Sequence, residues 1–217
     1  MDADTREMLE RLVHAARRAY MKGFAAGSGG NVSIRVQGRV YISPGGICLG
    51  DLGTEDMVAL GADGESPAGS RRPSKEAGMH LACYRIRPDI RCLFHLHSPY
   101  SIAAACRRQT DKRTAAGMPA YTPGYAMRVG IIPVVPYYRP GSRELAAAVS
   151  EVIGRRDSLL LANHGMVAAG QSPEAALALA EEIEENARLA LLLGEQGIPL
   201  DAEQTEALIG TEGRDEG

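Results

Sequence analysis

The chain has 217 residues, 45% of them hydrophobic, which is enough for one domain with a substantial core. A net charge of −3 without a basic block argues against a nucleic-acid partner, and no apolar stretch approaches the ~20 residues needed to cross a membrane. The four cysteines have no short paired spacing, and the first segment is charged and amphipathic rather than a signal peptide, so we expect a soluble protein of the reduced cytoplasm.

The N-terminal third predicts one helix followed by short paired strands. Asp4-Thr5-Arg6-Glu7 resembles a capping box, and apolar residues then repeat at helical spacing from Leu9 to Tyr20. Beyond a glycine-rich turn, runs with strand-like composition alternate with turn residues. The predicted strands are 31–35, 40–42 and 57–60. A polar loop without periodicity should follow over 66–72, and we expect it to be exposed.

The middle of the chain predicts a helix, a strand and a second helix. The first helix should begin near Ser74, whose hydroxyl can cap it, so that Glu76 lies in the first turn. The segment 90–97 has the β-branched and aromatic content of a strand. Ser98-Pro99 then predicts the start of the next helix.

The last third alternates helices and strands in the same way. A helix is predicted after Ser142, strands over 158–162 and 166–169, and a long helix from Ser172-Pro173 to about Gly194. Short strands joined by tight turns and interspersed with single helices favour an α/β or α+β sandwich over a doubly wound sheet. We expect one domain over residues 1–210 and a mobile tail over 211–217.

Three of the five histidines stand at the ends of predicted strands. His95 and His97 lie two residues apart on one strand, so their side chains point to the same face. His164 follows another strand, and Gly165 can turn the chain there. Two imidazoles on one strand can take adjacent corners of a tetrahedral ion, but a third ligand must come from another segment. The pattern therefore predicts a catalytic metal site with one position left for water or substrate.

The alternative for each histidine alone is a hydrogen-bonded structural residue near an apolar strand, and only the combination favours a metal. The other two histidines are placed outside the site. His14 lies in the charged first helix. His80 follows Glu76 by one helical turn and is predicted to be a core residue or to support the site.

Five short motifs occur in one order along the chain. They are Gly30-Asn31-Val32-Ser33, Ile42-Ser43-Pro44-Gly45-Gly46, Pro73-Ser74-Lys75-Glu76, His95-Leu96-His97 and Asn163-His164-Gly165. With them the chain resembles the class II aldolase/adducin family over nearly its whole length. The resemblance implies a three-layer α-β-α sandwich around a largely antiparallel sheet. It also implies a homotetramer with zinc, or alternatively manganese or cobalt, in active sites at subunit boundaries.

Within that family, two departures weaken the resemblance to fuculose phosphate aldolases, namely Lys75 in place of a small hydroxyl residue and Gly45 in place of a threonine. The segments 125–130 and 135–141 are more similar to those of 3-oxo-tetronate 4-phosphate decarboxylases. That resemblance implies a zinc-dependent carbon–carbon lyase of sugar-acid catabolism that releases carbon dioxide and dihydroxyacetone phosphate. The alternatives are a fuculose 1-phosphate type aldolase, a ribulose-phosphate 4-epimerase and a non-catalytic interaction domain like that of adducin.

Aldol cleavage and decarboxylation both leave electrons on a carbon next to a carbonyl, as an enediolate that a divalent ion stabilises. The resemblance makes Glu76 the candidate acid/base, and a metal ligand as well when substrate is absent. It also matches Tyr125 to a tyrosine that neighbouring subunits contribute to proton transfer in related aldolases. From position alone, Glu76 is more often a helix N-terminal residue that interacts with the dipole, and a tyrosine in a Pro/Gly-rich loop more often only packs.

A phosphate cradle is predicted from backbone amides, a hydroxyl and a charge near the start of a helix. The candidate substrate-binding residues are Gly30, Asn31, Gly45, Gly46, Ser74 and Lys75. Glycine pairs are also common in plain turns, so the family resemblance carries this prediction. Lys75 can alternatively hold the substrate carboxylate, with Arg128 and Arg139 as weaker candidates for that role.

Overall fold

Seven strands form one sheet at the centre of a computed structural model that describes residues 2–61, 64–67, 69–107 and 118–208. The strands are β1 (Asn31–Val36), β2 (Arg39–Ile42), β3 (Val58–Leu60), β4 (Cys92–Leu96), β5 (Val134–Val135), β6 (Ser158–Leu161) and β7 (Gly165–Gly170). Their order is β3-β2-β1-β4-β7-β6-β5, and all neighbours are antiparallel except β5 and β6. The predicted mixed α/β chain around a largely antiparallel sheet is confirmed.

Helices cover both faces of this sheet. In the described ranges they are α1 (Ala3–Met21), α2 (Ala77–Ile86), α3 (Pro99–Ala105), α4 (Pro123–Arg128), α5 (Arg143–Ile153), α6 (Pro173–Leu193) and α7 (Ala202–Leu208), with 3-10 turns at Thr54–Asp56 and Gly194–Gln196. None of these helices is both long enough and apolar enough to cross a bilayer. The expected α-β-α sandwich is thus the observed architecture.

Alternation along the strands divides the core into two layers. In β4, Cys92, Phe94 and Leu96 pack with the apolar faces of α1, α3, α4 and α6, whereas Leu93 packs with α2 and α5 on the opposite face. Because side chains alternate, His95 lies on the same face as Leu93, towards α2. The sheet therefore presents His95 to the helix that follows Glu76.

The predicted helix starts after Ser98, Ser142 and Ser172 are confirmed. The side chains of Ser142 and Ser172 accept hydrogen bonds at 3.1 Å from the third amide that follows each of them. At α3 the carboxylate of Glu184, on α6, accepts instead from the amides of Tyr100 and Ser101. The capping box predicted at residues 4–7 was wrong, because Asp2 caps α1 by accepting from the Thr5 amide at 2.9 Å.

The predicted start of α2 near Ser74 was also wrong, because the helix begins at Ala77 with Glu76 at the N-cap position. The segment before it pairs with the chain after β2: Pro73 and Pro44 form an antiparallel bridge, and the Ser74 amide donates to the Ser43 carbonyl oxygen at 3.2 Å. This pairing keeps Ser74 extended, and α2 can begin only once the chain has turned.

Short elements were not predicted from the sequence. The two-residue strand β5 and the short helices α4 and α7 are too brief to show a periodic apolar pattern. The described part of the predicted loop 66–72 contains neither helix nor strand and is mostly exposed, as expected. The predicted tail 211–217 lies outside the described residues, and the domain boundary at residue 210 stays a prediction.

Candidate metal centre

Four side chains meet at one end of the central strands. A carboxylate oxygen of Glu76 and one ring nitrogen each of His95, His97 and His164 all lie within 4.8 Å of one another. Glu76 directly precedes α2, His95 is in β4, His97 follows β4 by one residue, and His164 is in the turn between β6 and β7. Three segments that are distant in sequence therefore supply the four groups predicted as metal ligands.

Strand pairing brings His164 to the end of β4. In the register of β4 with β7, Leu96 pairs with Met166, and in the β6–β7 hairpin Leu161 pairs with Gly165. The turn that carries His164 therefore lies beside the last residues of β4. Gly165 is required there, since a Cβ atom at this position would collide with the carbonyl oxygen of Leu96.

The backbone fixes the orientation of the His95 ring. Its Nδ1 donates to the carbonyl oxygen of Met166 at 2.9 Å, and the side chain is fully buried. Nδ1 therefore carries the hydrogen, and Nε2 presents a lone pair to the centre, as in histidines that bind metals. The Nε2 of His97 lies only 3.0 Å from this atom. A cation between the two nitrogens would satisfy both.

Glu76 is 2% exposed and divides its two oxygens between different partners. Oε2 accepts from the Nδ2 of Asn31 at 2.8 Å and lies 3.3 Å from His95 Nε2. Oε1 lies 3.5 Å from His164 Nε2 and has no hydrogen-bond partner among the described residues. A buried carboxylate oxygen without a partner, facing imidazoles, fits a bound cation. Three imidazoles and a carboxylate form a donor set typical of zinc.

The protonation states agree with metal ligation. Burial lowers the pKa of His97 to about 3, and the close imidazoles of His95 and His164 disfavour its protonation further. Burial and His95 lower the pKa of His164 to about 4. Burial opposes ionisation of Glu76, but the adjacent imidazole of His95 and the hydrogen bond from the Asn31 amide outweigh it, so its pKa is lowered. At neutral pH, His97 and His164 are therefore neutral and Glu76 is ionised, which is the state that binds metal.

A pocket of about 730 Å³ opens beside the cluster. Its lining includes every residue predicted for substrate binding, namely Gly30, Asn31, Gly45, Gly46, Ser74 and Lys75, together with Glu76 and His97. Arg72 also lines the pocket. Neither Arg72 nor Lys75 has an ion-pair partner among the described residues. Arg72 was not predicted from the sequence, because a single arginine in a polar loop is usually only exposed.

The backbone of the pocket is held by the pairing of 43–45 with 72–74. The Gly45 amide donates to the Arg72 carbonyl oxygen at 3.0 Å, so it is already occupied within the protein. Gly46 follows with φ +80°, and its amide has no hydrogen-bond partner among the described residues. Gly30 also has a positive φ, and a Cβ there would lie 2.8 Å from the His95 carbonyl oxygen. Gly30 therefore allows β1 to start close to His95.

The remaining candidates lie elsewhere. Tyr125, in α4, is fully buried in the large core cluster, burial raises its pKa, and its hydroxyl has no hydrogen-bond partner among the described residues. This position does not bring it to the metal cluster, so its proton-transfer role stays a prediction. Arg128 pairs with Glu182 at 2.9 Å, and Arg139 is exposed. Neither lines the pocket beside the cluster.

Fold and cluster together are those of a class II aldolase, and residues 10–191 match the family described as Class II Aldolase and Adducin N-terminal domain. The chain belongs to this family. It is 38% identical over 190 residues to the 3-oxo-tetronate 4-phosphate decarboxylase of Escherichia coli strain K12, covering 87% of this chain and 88% of that protein.

A relative with a different activity and a solved structure are also similar to this chain. The chain is 38% identical over 177 residues to the 5-deoxy-D-ribulose 1-phosphate aldolase of Bacillus thuringiensis, covering 81% of this chain and 80% of that protein. The solved structure of YgbL from Klebsiella pneumoniae superposes with a TM-score of 0.87 at 37% identity, covering 94% of this chain and 98% of that one. Relatives of both activities are thus similar to this chain, and the 3-oxo-tetronate 4-phosphate decarboxylase of Haemophilus influenzae reaches 40% identity over 190 residues, covering 87% of this chain and 89% of that protein.

Proposed function

We propose that this protein is a divalent-metal-dependent lyase that converts 3-oxo-tetronate 4-phosphate to dihydroxyacetone phosphate and carbon dioxide. The observation that carries the proposal is the junction of the histidine cluster with a pocket lined by Lys75 and Arg72, two cations without ion-pair partners in the described chain. A substrate with a carboxylate at one end and a phosphate at the other supplies two anionic groups for these cations. The related decarboxylase from Escherichia coli supports the same assignment.

His95, His97 and His164 would hold the ion, with Glu76 as a further ligand when substrate is absent. We propose zinc, because nitrogen-rich tetrahedral sites suit it, with manganese or cobalt as alternatives. When bound, such an ion acts as a Lewis acid that polarises a carbonyl and stabilises developing negative charge on oxygen.

The protein side chains have three tasks. Lys75 lines the pocket together with Glu76 and His97 and would bind the carboxylate that is lost. Ser74 and the Gly46 amide, with Arg72, bind the phosphate. These contacts hold the substrate so that the carbon–carbon bond to be broken lies next to Glu76.

Glu76 transfers the proton. When the bond to the carboxylate carbon breaks, its electron pair stays on the neighbouring carbon and is delocalised into the adjacent carbonyl. That carbon must then receive a proton, which the carboxyl group of Glu76 delivers after taking one up from water. The Oε1 atom is the available oxygen, since Oε2 is bound by Asn31. The reaction consumes one proton and releases carbon dioxide.

A second candidate is aldol cleavage of a sugar phosphate, of the fuculose 1-phosphate or 5-deoxyribulose 1-phosphate type. The 38% identity to the Bacillus thuringiensis aldolase favours it. The chemistry of the centre is the same, since aldol cleavage also leaves electrons on a carbon next to a carbonyl. A ribulose-phosphate 4-epimerase would use the same reversible cleavage. A non-catalytic interaction domain does not need convergent imidazoles beside an unpartnered buried carboxylate oxygen.

We also propose that the protein is a cytoplasmic homotetramer with active sites at subunit boundaries, as the family resemblance implies. In such an assembly a neighbouring copy would complete the open side of the pocket. Light scattering of the purified protein during size-exclusion chromatography tests this point. A monomer at micromolar concentration would contradict it.

A substrate panel separates the two enzyme candidates. The purified, zinc-loaded protein is incubated in parallel with 3-oxo-tetronate 4-phosphate generated in place, fuculose 1-phosphate and 5-deoxyribulose 1-phosphate. We expect carbon dioxide release well above the spontaneous rate from the first, and much slower aldehyde formation from the other two. Dihydroxyacetone phosphate alone is not diagnostic, because fuculose 1-phosphate cleavage also yields it. Fast aldehyde formation without carbon dioxide release would establish the aldolase instead.

A further inference from the structure

A chain of buried polar side chains continues from Glu76 between α2 and β1. Asn31 Nδ2 donates to Glu76 Oε2 at 2.8 Å, and Asn31 Oδ1 lies 2.6 Å from His80 Nε2. His80 Nδ1 lies 2.6 Å from Ser33 Oγ, which in turn lies 2.9 Å from the Tyr84 hydroxyl. All five side chains are buried, with at most 4% exposure. His80 has no part in the chemistry described above.

Helix α2 and strand β1 pack against each other here, and the side-chain repeat of each brings its polar residues to the contact. Glu76, His80 and Tyr84 are spaced by four residues and so lie on one face of α2. Asn31 and Ser33 are spaced by two residues and so lie on one face of β1. The polar groups of the helix therefore alternate with those of the strand, and the chain of hydrogen bonds follows from this geometry.

The hydrogen positions along this chain are fixed by donor and acceptor chemistry. The Oδ1 of Asn31 can only accept, so the bond to His80 Nε2 requires a hydrogen on that nitrogen. His80 Nδ1 then accepts from the hydroxyl of Ser33. With the hydroxyl hydrogen of Ser33 used in this way, the Tyr84 hydroxyl donates to Ser33 Oγ at 2.9 Å. Every group thus has a partner only when His80 is the neutral Nε2–H tautomer.

The opposite orientation of the Asn31 amide is unfavourable. It would place Oδ1 against Oε2 of the ionised Glu76 carboxylate. Two acceptors would then face each other in a buried environment, where unpaired polar groups are most costly. Burial also lowers the pKa of His80 to about 3, so the ring is neutral.

We propose that His80 is a positioning residue for Glu76, because its Nε2–H holds the Asn31 amide in the orientation that donates to Glu76 Oε2. This hydrogen bond occupies Oε2 and leaves Oε1 available to the metal and the substrate. The inference rests on the proposed function only for the role of Glu76. The tautomer itself is a property of the folded protein and does not depend on which reaction is catalysed.

The direct test is the tautomer of His80. The full chain, zinc-loaded and labelled with ¹⁵N in its histidines, is examined by a long-range ¹H–¹⁵N correlation spectrum, with the His80 signals assigned by their loss in His80→Gln. The expected pattern is a neutral ring protonated at Nε2. A ring protonated at Nδ1, or at both nitrogens, overturns the proposal. The tautomer of His80 can be determined even if the protein has no decarboxylase activity. Failure of this inference is therefore distinguishable from failure of the proposed function.

The functional test compares His80→Leu with His80→Gln. Leucine removes the donor to Asn31, whereas the glutamine amide nitrogen can replace Nε2–H. We expect kcat to fall about 10- to 100-fold in His80→Leu, as for other residues that support metal-site groups, with KM and zinc content unchanged. His80→Gln should recover most of the loss. Equal losses in the two variants overturn the proposal.

Tyr84→Phe is the matched control for loss of a buried polar group on the same face of α2. It removes the hydroxyl at the far end of the chain and leaves the His80–Asn31 contact in place. We expect a lower melting temperature with kcat within about twofold of the starting protein. A loss of kcat as large as that in His80→Leu would mean that general destabilisation explains both, and would overturn the proposal.

Discussion

The ring of His95 donates from Nδ1 to the carbonyl oxygen of Met166 at 2.9 Å, across the pairing of β4 and β7. One hydrogen bond thus connects the sheet to the metal centre, because it sets both the tautomer and the direction of Nε2. His164 is carried by the turn that precedes β7, so the same strand orients two of the ligands. The site is therefore a property of the sheet register rather than of any one loop.

Removal of His97 should abolish metal binding. His97→Ala leaves two imidazoles and the carboxylate, and we expect zinc affinity to fall by at least the roughly 10- to 100-fold seen when a supporting residue of a metal site is lost. Activity should be lost with the metal. Metal content per subunit after dialysis measures this, with His14→Ala on the exposed face of α1 as control. Full zinc occupancy in His97→Ala would refute the ligand assignment.

Glu76→Gln should separate metal binding from proton transfer. Three histidines remain, so zinc content should be unchanged, but an amide cannot deliver the proton. We expect kcat to fall by about 10²- to 10⁴-fold, the usual contribution of a general acid or base. Steady-state rates together with metal analysis of the same preparation measure both effects. Unchanged turnover would remove Glu76 from the mechanism.

Lys75→Ser should affect decarboxylation more than aldol cleavage. The proposed partner of Lys75 is the substrate carboxylate, which the aldolase substrates lack. We expect a larger loss of kcat/KM on 3-oxo-tetronate 4-phosphate than on any sugar phosphate that is cleaved. Arg72→Ser is the matched variant, and it should weaken all phosphorylated substrates alike. An equal effect of Lys75→Ser on both reactions would mean that Lys75 binds only the phosphate.

The metal-free protein should lose stability as the pH falls below about 6.5. The pKa values of His80 and His97, about 3, and of His164, about 4, lie below the ordinary histidine value of 6.5. The unfolded chain therefore binds more protons than the folded chain between pH 4 and 6.5, and stability rises with pH in that window. Urea unfolding of the metal-free protein at several pH values measures this slope. A flat profile from pH 6.5 to 4 would contradict the buried, neutral state.

The pattern in the sequence was sufficient to predict that His95, His97 and His164 come together. The spacing of His95 and His97 on a strand gives their common face directly, and Gly165 marks the turn that brings His164 to them. Both inferences use local rules. Side chains repeat every two residues on one face of a strand, and a tight turn needs glycine where a Cβ atom would collide. The identity of the fourth group, Glu76, came from the family resemblance.

Other features depend on contacts between distant segments, and local rules could not give them. The start of α2 is displaced to Ala77 because Ser74 pairs with Ser43, thirty-one residues earlier. His80 was predicted to be a core or supporting residue from its position one helical turn after Glu76, but its partner Asn31, 49 residues away, could not be inferred. Tyr125 was chosen by resemblance, and its buried position in one copy of the chain could not be inferred from a short loop.

The most direct test of the decarboxylase proposal is a ¹³C NMR time course with 3-oxo-tetronate 4-phosphate labelled at its carboxylate carbon. Zinc-loaded protein, metal-free protein and zinc-loaded Glu76→Gln are compared at equal concentration. We expect rapid appearance of labelled carbon dioxide and bicarbonate with the zinc-loaded protein alone, and the spontaneous rate with the other two. A spontaneous rate in all three samples would contradict the proposal and leave aldol cleavage as the activity of this centre.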